Sequence, residues 1–318
     1  MTGPVTDDAG KDGAGRGNAG KGDAGKGGAG KGGAGKGDAG KDGAPPAPPP
    51  LAGTVFDSHC HLDAMSARSG RSRRGEPATA EFTAAVLAEA AAVGVTRVVN
   101  VGCEVGEWAS ALDSTAHPDV YAALAVHPTE VAGLTEEHYR ELAELLRHPK
   151  VVAVGETGLD YYWDRTEPAD QQRHFRRHIE LSKQVGKPLV IHDRQAHADV
   201  LRILREEGAP PAGVIFHAFS GDAEMARECV AAGYLLSFSG VLTFDNAPAL
   251  REAASVTPLE QLLVETDAPF LTPHPHRGKP NAPYLIPHLV RRLSEEKDVP
   301  ESVVCATISA TGARVFGW

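Results

Sequence analysis

Four histidines and two carboxylates stand where short apolar runs end: Asp57-Ser58-His59-Cys60-His61, Gly155-Glu156-Thr157-Gly158, His192, His217 and Glu265-Thr266-Asp267. Imidazole nitrogens and carboxylate oxygens suit Zn²⁺, Mn²⁺ and similar divalent ions, and Mg²⁺ less naturally. Residues two apart on a strand share a side, so His59 and His61 would face one way, with Asp57 below them and Cys60 turned toward a helix layer. The His-x-His pair would hold one cation; His192 and His217, on neighbouring strands, would hold a second. Glu156 falls between the two groups in strand order and would bridge the cations with its two oxygens. Asp267, on the strand that would close beside the first, would complete the first cation's ligands. Any one of the 14 histidines is by itself more often a surface or capping residue. The reading rests on six donors sharing one relative position on five strands.

Those strands are visible as apolar, β-branched runs: Val55–His59, Arg97–Val101, Tyr121–Val126, Val151–Gly155, Leu189–His192, Val214–His217, Tyr234–Ser237 and Leu262–Thr266. Between them, Ala80–Ala92, Glu136–Arg147, Ala169–Val185, Ala196–Glu207 and Ala223–Ala231 carry helix formers at 3.6-like apolar spacing. Eight near-continuous apolar strands alternating with helices predict an α/β fold, a (β/α)8 TIM barrel with both faces of its parallel sheet covered. An open doubly wound sheet is the alternative, but no glycine-rich phosphate loop follows the first strand. In a barrel the C-terminal strand ends form one mouth, which would gather donors more than 200 residues apart.

The first 52 residues read differently. Residues 9–44 repeat AGKGx with a period of five, which excludes a collagen helix, and APPAPPPL follows at Ala44–Leu51. Apart from Val5, nothing apolar larger than Ala or Pro precedes Leu51, so burial cannot offset ordering entropy. The expected division is a disordered tail with a stiff Pro-rich spacer over 1–52 and a catalytic domain over 53–318. Seven Lys/Arg against six Asp leave the first 50 residues at +1, so the rest carries about −11 of the net −10. A uniform basic footprint for nucleic acid is therefore absent, and any such contact must be local. No run of 18 apolar residues and no apolar leader segment is present, so neither a membrane span nor a secretory signal is expected. Four dispersed cysteines without a C-x-x-C pair predict reduced thiols and a cytoplasmic location.

Taken together, the stretches Asp57–Asp63, Gly155–Asp160, Ile191–Arg194, His217–Gly221, Glu265–Pro269 and Pro273–Gly278 resemble the TatD family of metal-dependent deoxyribonucleases, among the amidohydrolase-like barrels. The resemblance covers residues 54–318. It implies that His59, His61, Glu156 and Asp267 serve one metal, and Glu156, His192 and His217 the other. The chain departs from the family in a longer arginine-rich segment within Ala64–Ala80 and in Thr311, where Asn is common. The expected chemistry is hydrolysis of DNA, 3′ to 5′ on single-stranded ends, with two divalent ions (Zn, Mn or Mg) activating water and Asp267 accepting its proton. Arg194 would grip a phosphate, with an ion pair to Asp193 or Asp199 as the competing role. His127 would contact substrate or serve structurally. Glu265 would orient a ligand or sit in a buried ion pair. Arg68–Arg74 would form a loop on the active face, and Tyr161, Tyr162 and Trp163 would stack a base or cap the rim. His174 and His178 are expected at the surface, and no stable protein partner is expected. The competing functions are an ester hydrolase such as a D-aminoacyl-tRNA deacylase, and a non-catalytic metal-binding protein.

Overall fold

The computed structural model describes residues 43–73 and 75–318. The expected disorder of the repeat tail falls on residues 1–42, which lie outside the described residues, as does Arg74. Eight parallel strands follow one another in sheet order: β1 Val55–Cys60, β2 Val95–Gly102, β3 Val120–Leu124, β4 Val151–Asp160, β5 Leu189–Arg194, β6 Val214–Phe216, β7 Leu235–Phe238 and β8 Leu262–Val264. Just beyond β8, Asp267 N–H donates to the His59 carbonyl (2.9 Å) and His61 N–H to the Ala268 carbonyl (2.8 Å), which draws the last strand's end to the first. The predicted barrel is therefore present, nearly closed. Its strands are buried almost throughout, as continuous apolar runs between helices require.

The helices are α1 Leu62–Arg68, α2 Ala80–Ala92, α3 Trp108–Ser114, α4 Glu136–Leu145, α5 Pro168–Val185, α6 His197–Glu207, α7 Ala223–Ala231, α8 Pro248–Val256, α9 Ile286–Lys297 and α10 Glu301–Phe316. Their ends follow local chemistry. The Thr79 side chain accepts the Phe82 N–H and opens α2, and Asp222 accepts the Glu224 and Met225 N–H groups and opens α7. Gly186 closes α5 at φ 68°, a left-handed turn that a side chain would strain. None of the helices among the described residues is long and apolar enough to cross a membrane. All four cysteines are free thiols.

Three differences from the sequence reading have physical causes. Of the arginine-rich segment expected as loop, Arg68 is the last residue of α1, whose burial of Leu62 and Met65 carries the helix that far, while residues 69–72 are turn and bend as expected. His174 and His178 are buried, not at the surface. They lie on the inward face of α5, where His174 Nδ1 meets the Tyr139 hydroxyl of α4 at 2.7 Å and His178 Nδ1 meets the Thr157 hydroxyl of β4 at 2.9 Å. Two polar residues four apart looked like a solvated stripe, but partners on α4 and β4 make burial tolerable. Finally, packing starts ahead of residue 53, since Pro45 and Pro48 are buried.

Candidate metal centre

Strand β1 carries His59, and His61 follows it at once. Their Nε2 atoms lie 3.2 Å apart. Asp267 Oδ1 is 3.5 Å from His61 Nε2 and 3.9 Å from His59 Nε2. Asp267 reaches this point from beyond β8, at a φ of 52° that turns it out of the strand, so strict alternation did not place it. Beneath the pair, Asp57 accepts the Thr266 N–H (2.9 Å), the Thr266 hydroxyl and the His59 N–H (3.2 Å). These bonds tie the end of β1 to the segment that carries Asp267. Burial pushes the Asp57 carboxyl up to about 7.

Glu156 occupies the middle of the mouth. Its Oε1 faces His192 Nδ1 at 2.7 Å, His217 Nε2 at 3.0 Å and His127 Nε2 at 3.7 Å, while Oε2 faces His59 Nε2 at 3.3 Å. Burial disfavours its ionisation, but the charge of His217 and hydrogen bonds from His192, His217 and His59 outweigh burial and hold the carboxyl well below the usual range. The His59 and His217 rings stack with centroids 3.8 Å apart. The structure thus brings all six sequence-selected donors together, with one Glu156 oxygen toward each half of the set. Among the described residues, donor atoms within 4.8 Å of one another form three groups: His59, Glu156 and His217; His59, His61 and Asp267; and His127, Asp160 and His192. So many nitrogen and oxygen lone pairs converging in one buried mouth fit divalent ions of the zinc or manganese type.

Surrounding side chains aim these donors. The His217 Nδ1–H donates to Glu265 Oε1 (2.8 Å), which also accepts the Ala218 N–H (2.7 Å), and this turns His217 Nε2 toward Glu156. His192 directs its second nitrogen at Asp160 Oδ2, 2.9 Å away. Asp160 Oδ1 accepts the Tyr162 and Trp163 N–H groups at 2.9 and 3.0 Å. The sequence reading gave Asp160 no role because it ended the strand at Gly155. Carried to its true end, β4 places Glu156, Gly158 and Asp160 at alternate positions, and that spacing was the available signal. Gly158 is needed there: its φ is 140°, and a Cβ would run into the His192 carbonyl of β5.

His127 Nδ1 lies 2.8 Å from the Thr129 hydroxyl and 3.2 Å from the Thr129 nitrogen, which holds the ring with Nε2 toward the mouth. Burial, together with nearby His192, pushes its pKa down to about 3, so the ring is neutral. Arg194 takes neither ion pair suggested for it, since Asp193 meets His197 and Asp199 meets Arg202, both at 2.8 Å. Its guanidinium lies over the Tyr162 ring at 3.9 Å, with Trp163 at 5.7 Å. Four strands further round the barrel, the Arg68 guanidinium stands 5.9 Å over Phe270. Tyr162, Trp163 and Phe270 are 49%, 47% and 47% exposed, which is unusual for aromatics in a well-packed barrel. Thr311 is buried in α10 and donates to the Glu260 carbonyl (3.2 Å), ahead of β8 and away from the mouth.

Residues 56–317 match the family model for TatD related DNase. A Mycobacterium tuberculosis protein described as an uncharacterized metal-dependent hydrolase TatD is 50% identical over 273 residues, covering 83% of this chain and 99% of its own. An Edwardsiella piscicida protein described as a 3′-5′ ssDNA/RNA exonuclease TatD is 34% identical, covering 66% and 83% respectively. The crystal structure of a TatD homolog from Escherichia coli superposes with a TM-score of 0.75 at 28% identity, covering 83% of this chain and 98% of that one.

Proposed function

The chain belongs to the TatD-related DNase family of metal-dependent hydrolases, and on that premise we propose that the bond it cleaves is the 3′-terminal phosphodiester of single-stranded DNA. One observation carries this choice of substrate. Half-exposed aromatics flank the donor cluster on opposite sides of the barrel, Tyr162 and Trp163 after β4 and Phe270 after β8, and an arginine lies over a ring on each side. Flat π-faces beside guanidinium groups suit unstacked bases and their phosphates. A hydrolase of small free esters has no use for two such platforms, and a tRNA 3′ end, which could use them, is the competitor that the substrate panel below separates.

In this reading His59, His61, Glu156 and Asp267 hold one divalent ion, and Glu156, His192 and His217 hold a second. Bound there, the two ions would supply Lewis acidity that neutralises phosphoryl charge and lowers the pKa of water. The residues of the chain do the rest. Asp267 is half-buried at the opening, next to His61, and accepts the proton of the attacking water. His127 presents its Nε2–H to a phosphoryl oxygen. Arg194 stands over the Tyr162 ring at 3.9 Å and offers its N–H donors to a second phosphate. The Glu265 and Asp160 carboxylates orient the rings of His217 and His192 toward Glu156.

The test is a panel of end-labelled single-stranded DNA, single-stranded RNA and D-aminoacyl-tRNA offered to the metal-loaded protein. Mononucleotides released from the 3′ end of DNA are expected, with loss of turnover in Glu156→Ala. Deacylation of the tRNA with DNA left intact would overturn the assignment.

A further inference from the structure

The segment Ala44–Leu51 reads APPAPPPL and lies before the residues matched to the family. As a free spacer it would be exposed evenly. Instead Pro45 and Pro48 are buried, Leu51 is half-buried against the core, and Ala44, Pro46, Ala47, Pro49 and Pro50 are exposed. Burial at every third residue is the period of a polyproline II helix, the conformation that fixed proline φ and the X-Pro restriction both favour.

The contacts match that chemistry. Five of the six residues from Pro45 to Pro50 lack an N–H, so the segment offers carbonyls and needs donors from its partner. The partner surface supplies them. The Tyr284 hydroxyl, in the turn that opens α9, donates to the Pro45 carbonyl (2.8 Å), and the bond is buried. About two helix turns further along, Arg291 Nη2 donates to the Pro49 carbonyl (2.7 Å) and the Pro50 carbonyl (3.2 Å). Arg291 is itself held by Glu301 Oε2 (3.0 Å), whose other oxygen accepts the Ala52 N–H (2.6 Å). Leu51 N–H then donates to the Val93 carbonyl at the end of α2 (3.0 Å). The segment therefore runs along the first half of α9, from Tyr284 just ahead of it to Arg291 at its middle. A tyrosine hydroxyl and a guanidinium reading proline carbonyls, with prolines seated at i and i+3, is the chemistry by which aromatic-lined grooves take polyproline ligands.

We propose that the surface around Tyr284 and Arg291 is a polyproline-recognition groove that binds peptides of the form Pro-x-x-Pro-x-x-Leu, and that the chain's own Ala44–Leu51 segment is its occupant in cis. Tethered a few residues from its site, that segment is present at an effective concentration in the millimolar range and excludes competitors. Release of the segment opens the groove to a proline-rich partner segment in trans.

The experiment uses the full-length chain and a fluorescein-labelled Ala44–Leu51 peptide followed by anisotropy. Pro45→Asp with Pro48→Asp vacates the groove, and this variant is expected to bind the peptide at least tenfold more tightly than the unaltered chain. Adding Tyr284→Phe or Arg291→Ala to it is expected to weaken peptide binding tenfold or more, with an unchanged circular dichroism spectrum. A control peptide with Ala at the positions of Pro45, Pro48 and Leu51 keeps three exposed prolines and is expected not to bind. Equal binding of the two peptides, or no binding to the vacated groove at millimolar peptide, would overturn the proposal. The gentler Pro45→Ala with Pro48→Ala pair gives the same comparison if the aspartates disturb folding.

Discussion

Glu265 offers the sharpest check on how the donor cluster is built, because it touches only one of the proposed ligands. Its carboxylate is 1% exposed, and a single oxygen accepts both the His217 Nδ1–H and the Ala218 N–H, at 2.8 and 2.7 Å. The other oxygen is buried with no partner among the described residues. Glu265→Gln keeps the accepting oxygen but puts a buried NH₂ where the orphan oxygen stood and removes the charge that makes His217 a better donor. Glu265→Ala removes the acceptor and leaves the buried His217 Nδ1–H unpaired, at about 1–3 kcal/mol, along with the half-buried Ala218 N–H. The ring of His217 is then free to turn away from Glu156. Loss of such an orienting bond costs about 10–100-fold in metal affinity. The assay is competition for Zn²⁺ against a chromophoric chelator, with thermal unfolding and circular dichroism measured in parallel. One of the two cations is expected to bind more weakly, in the order wild type, Glu265→Gln, Glu265→Ala, while the cation held through His61 and Asp267 keeps its affinity. Undiminished affinity for both cations in a folded Glu265→Ala protein would refute the claim that this carboxylate aims His217.

Two further outcomes follow from other parts of the molecule. Tyr162→Ala and Phe270→Ala each remove a proposed stacking platform, worth about 1–3 kcal/mol per base, so KM for single-stranded oligonucleotides is expected to rise roughly 5–150-fold. Hydrolysis of bis(p-nitrophenyl) phosphate should stay near wild type, and an equal loss on both substrates would point to damage at the donor cluster instead. Burial first, and then the charge of His174, push the His178 pKa down to about 3. Folded His178 is thus neutral where the unfolded chain, with an ordinary imidazole near 6.5, binds a proton. Its contribution is whole above pH ~6.5 and falls as pH drops toward 3, by about 2 kcal/mol at pH 5. Urea unfolding of wild type and His178→Gln at pH 7 and pH 5 should show the variant losing less stability on acidification; parallel losses would mean that His178 does not titrate as described.

Much of the fold is legible in the sequence because a barrel strand is buried on both sides. Val151–Val154 and Leu189–Ile191 are continuous apolar runs with no solvent face to disguise them. The donor positions are legible for the same reason, since polar residues interrupt these runs where the strands reach the mouth. What escaped is what depends on an element's end or on a partner. Asp160 was hidden because the polar residues of β4 look like a loop, although they continue the strand through pairing with β5 as far as Asp160 and Arg194. His174 and His178 were misplaced because only Tyr139 and Thr157, far off in sequence, make their burial affordable. The docking of Pro45 and Pro48 was invisible because a proline run reads alike whether it is solvated or seated on Tyr284 and Arg291.

On the proposed substrate, a chain with net charge −10 must meet a polyanion through local fields, and the arrangement of its arginines sets how many phosphates it would reach. Most arginines are paired with carboxylates, as Arg176 is with Glu206 and Glu207 and Arg202 with Asp199 and Glu206. Even Arg165, beside Trp163, meets Glu130 at 3.1 Å. Arg194, Arg277 and Arg68 differ: they lie over Tyr162, Phe244 and Phe270 on segments beyond the strands' C-terminal ends, and none of them meets a carboxylate among the described residues. A guanidinium over a ring keeps most of its edge donors available, although Arg68 Nη1 gives one to the Pro269 carbonyl at 3.4 Å. Three such groups correspond to about three phosphate contacts. On single strands each contact contributes roughly −0.7 to the slope of log affinity against log salt. The expected slope for oligonucleotide binding is therefore about −2.1, shallower than that of a protein with a basic face. Arg194→Gln should reduce its magnitude by about 0.7, read from anisotropy titrations of a labelled oligonucleotide between 50 and 300 mM KCl with the metals present, where both bounds are chosen so that screening dominates. A steep slope that Arg194→Gln leaves unchanged would mean that phosphates are gripped elsewhere, and that the aromatic-backed arginines serve the rim's packing and not the substrate.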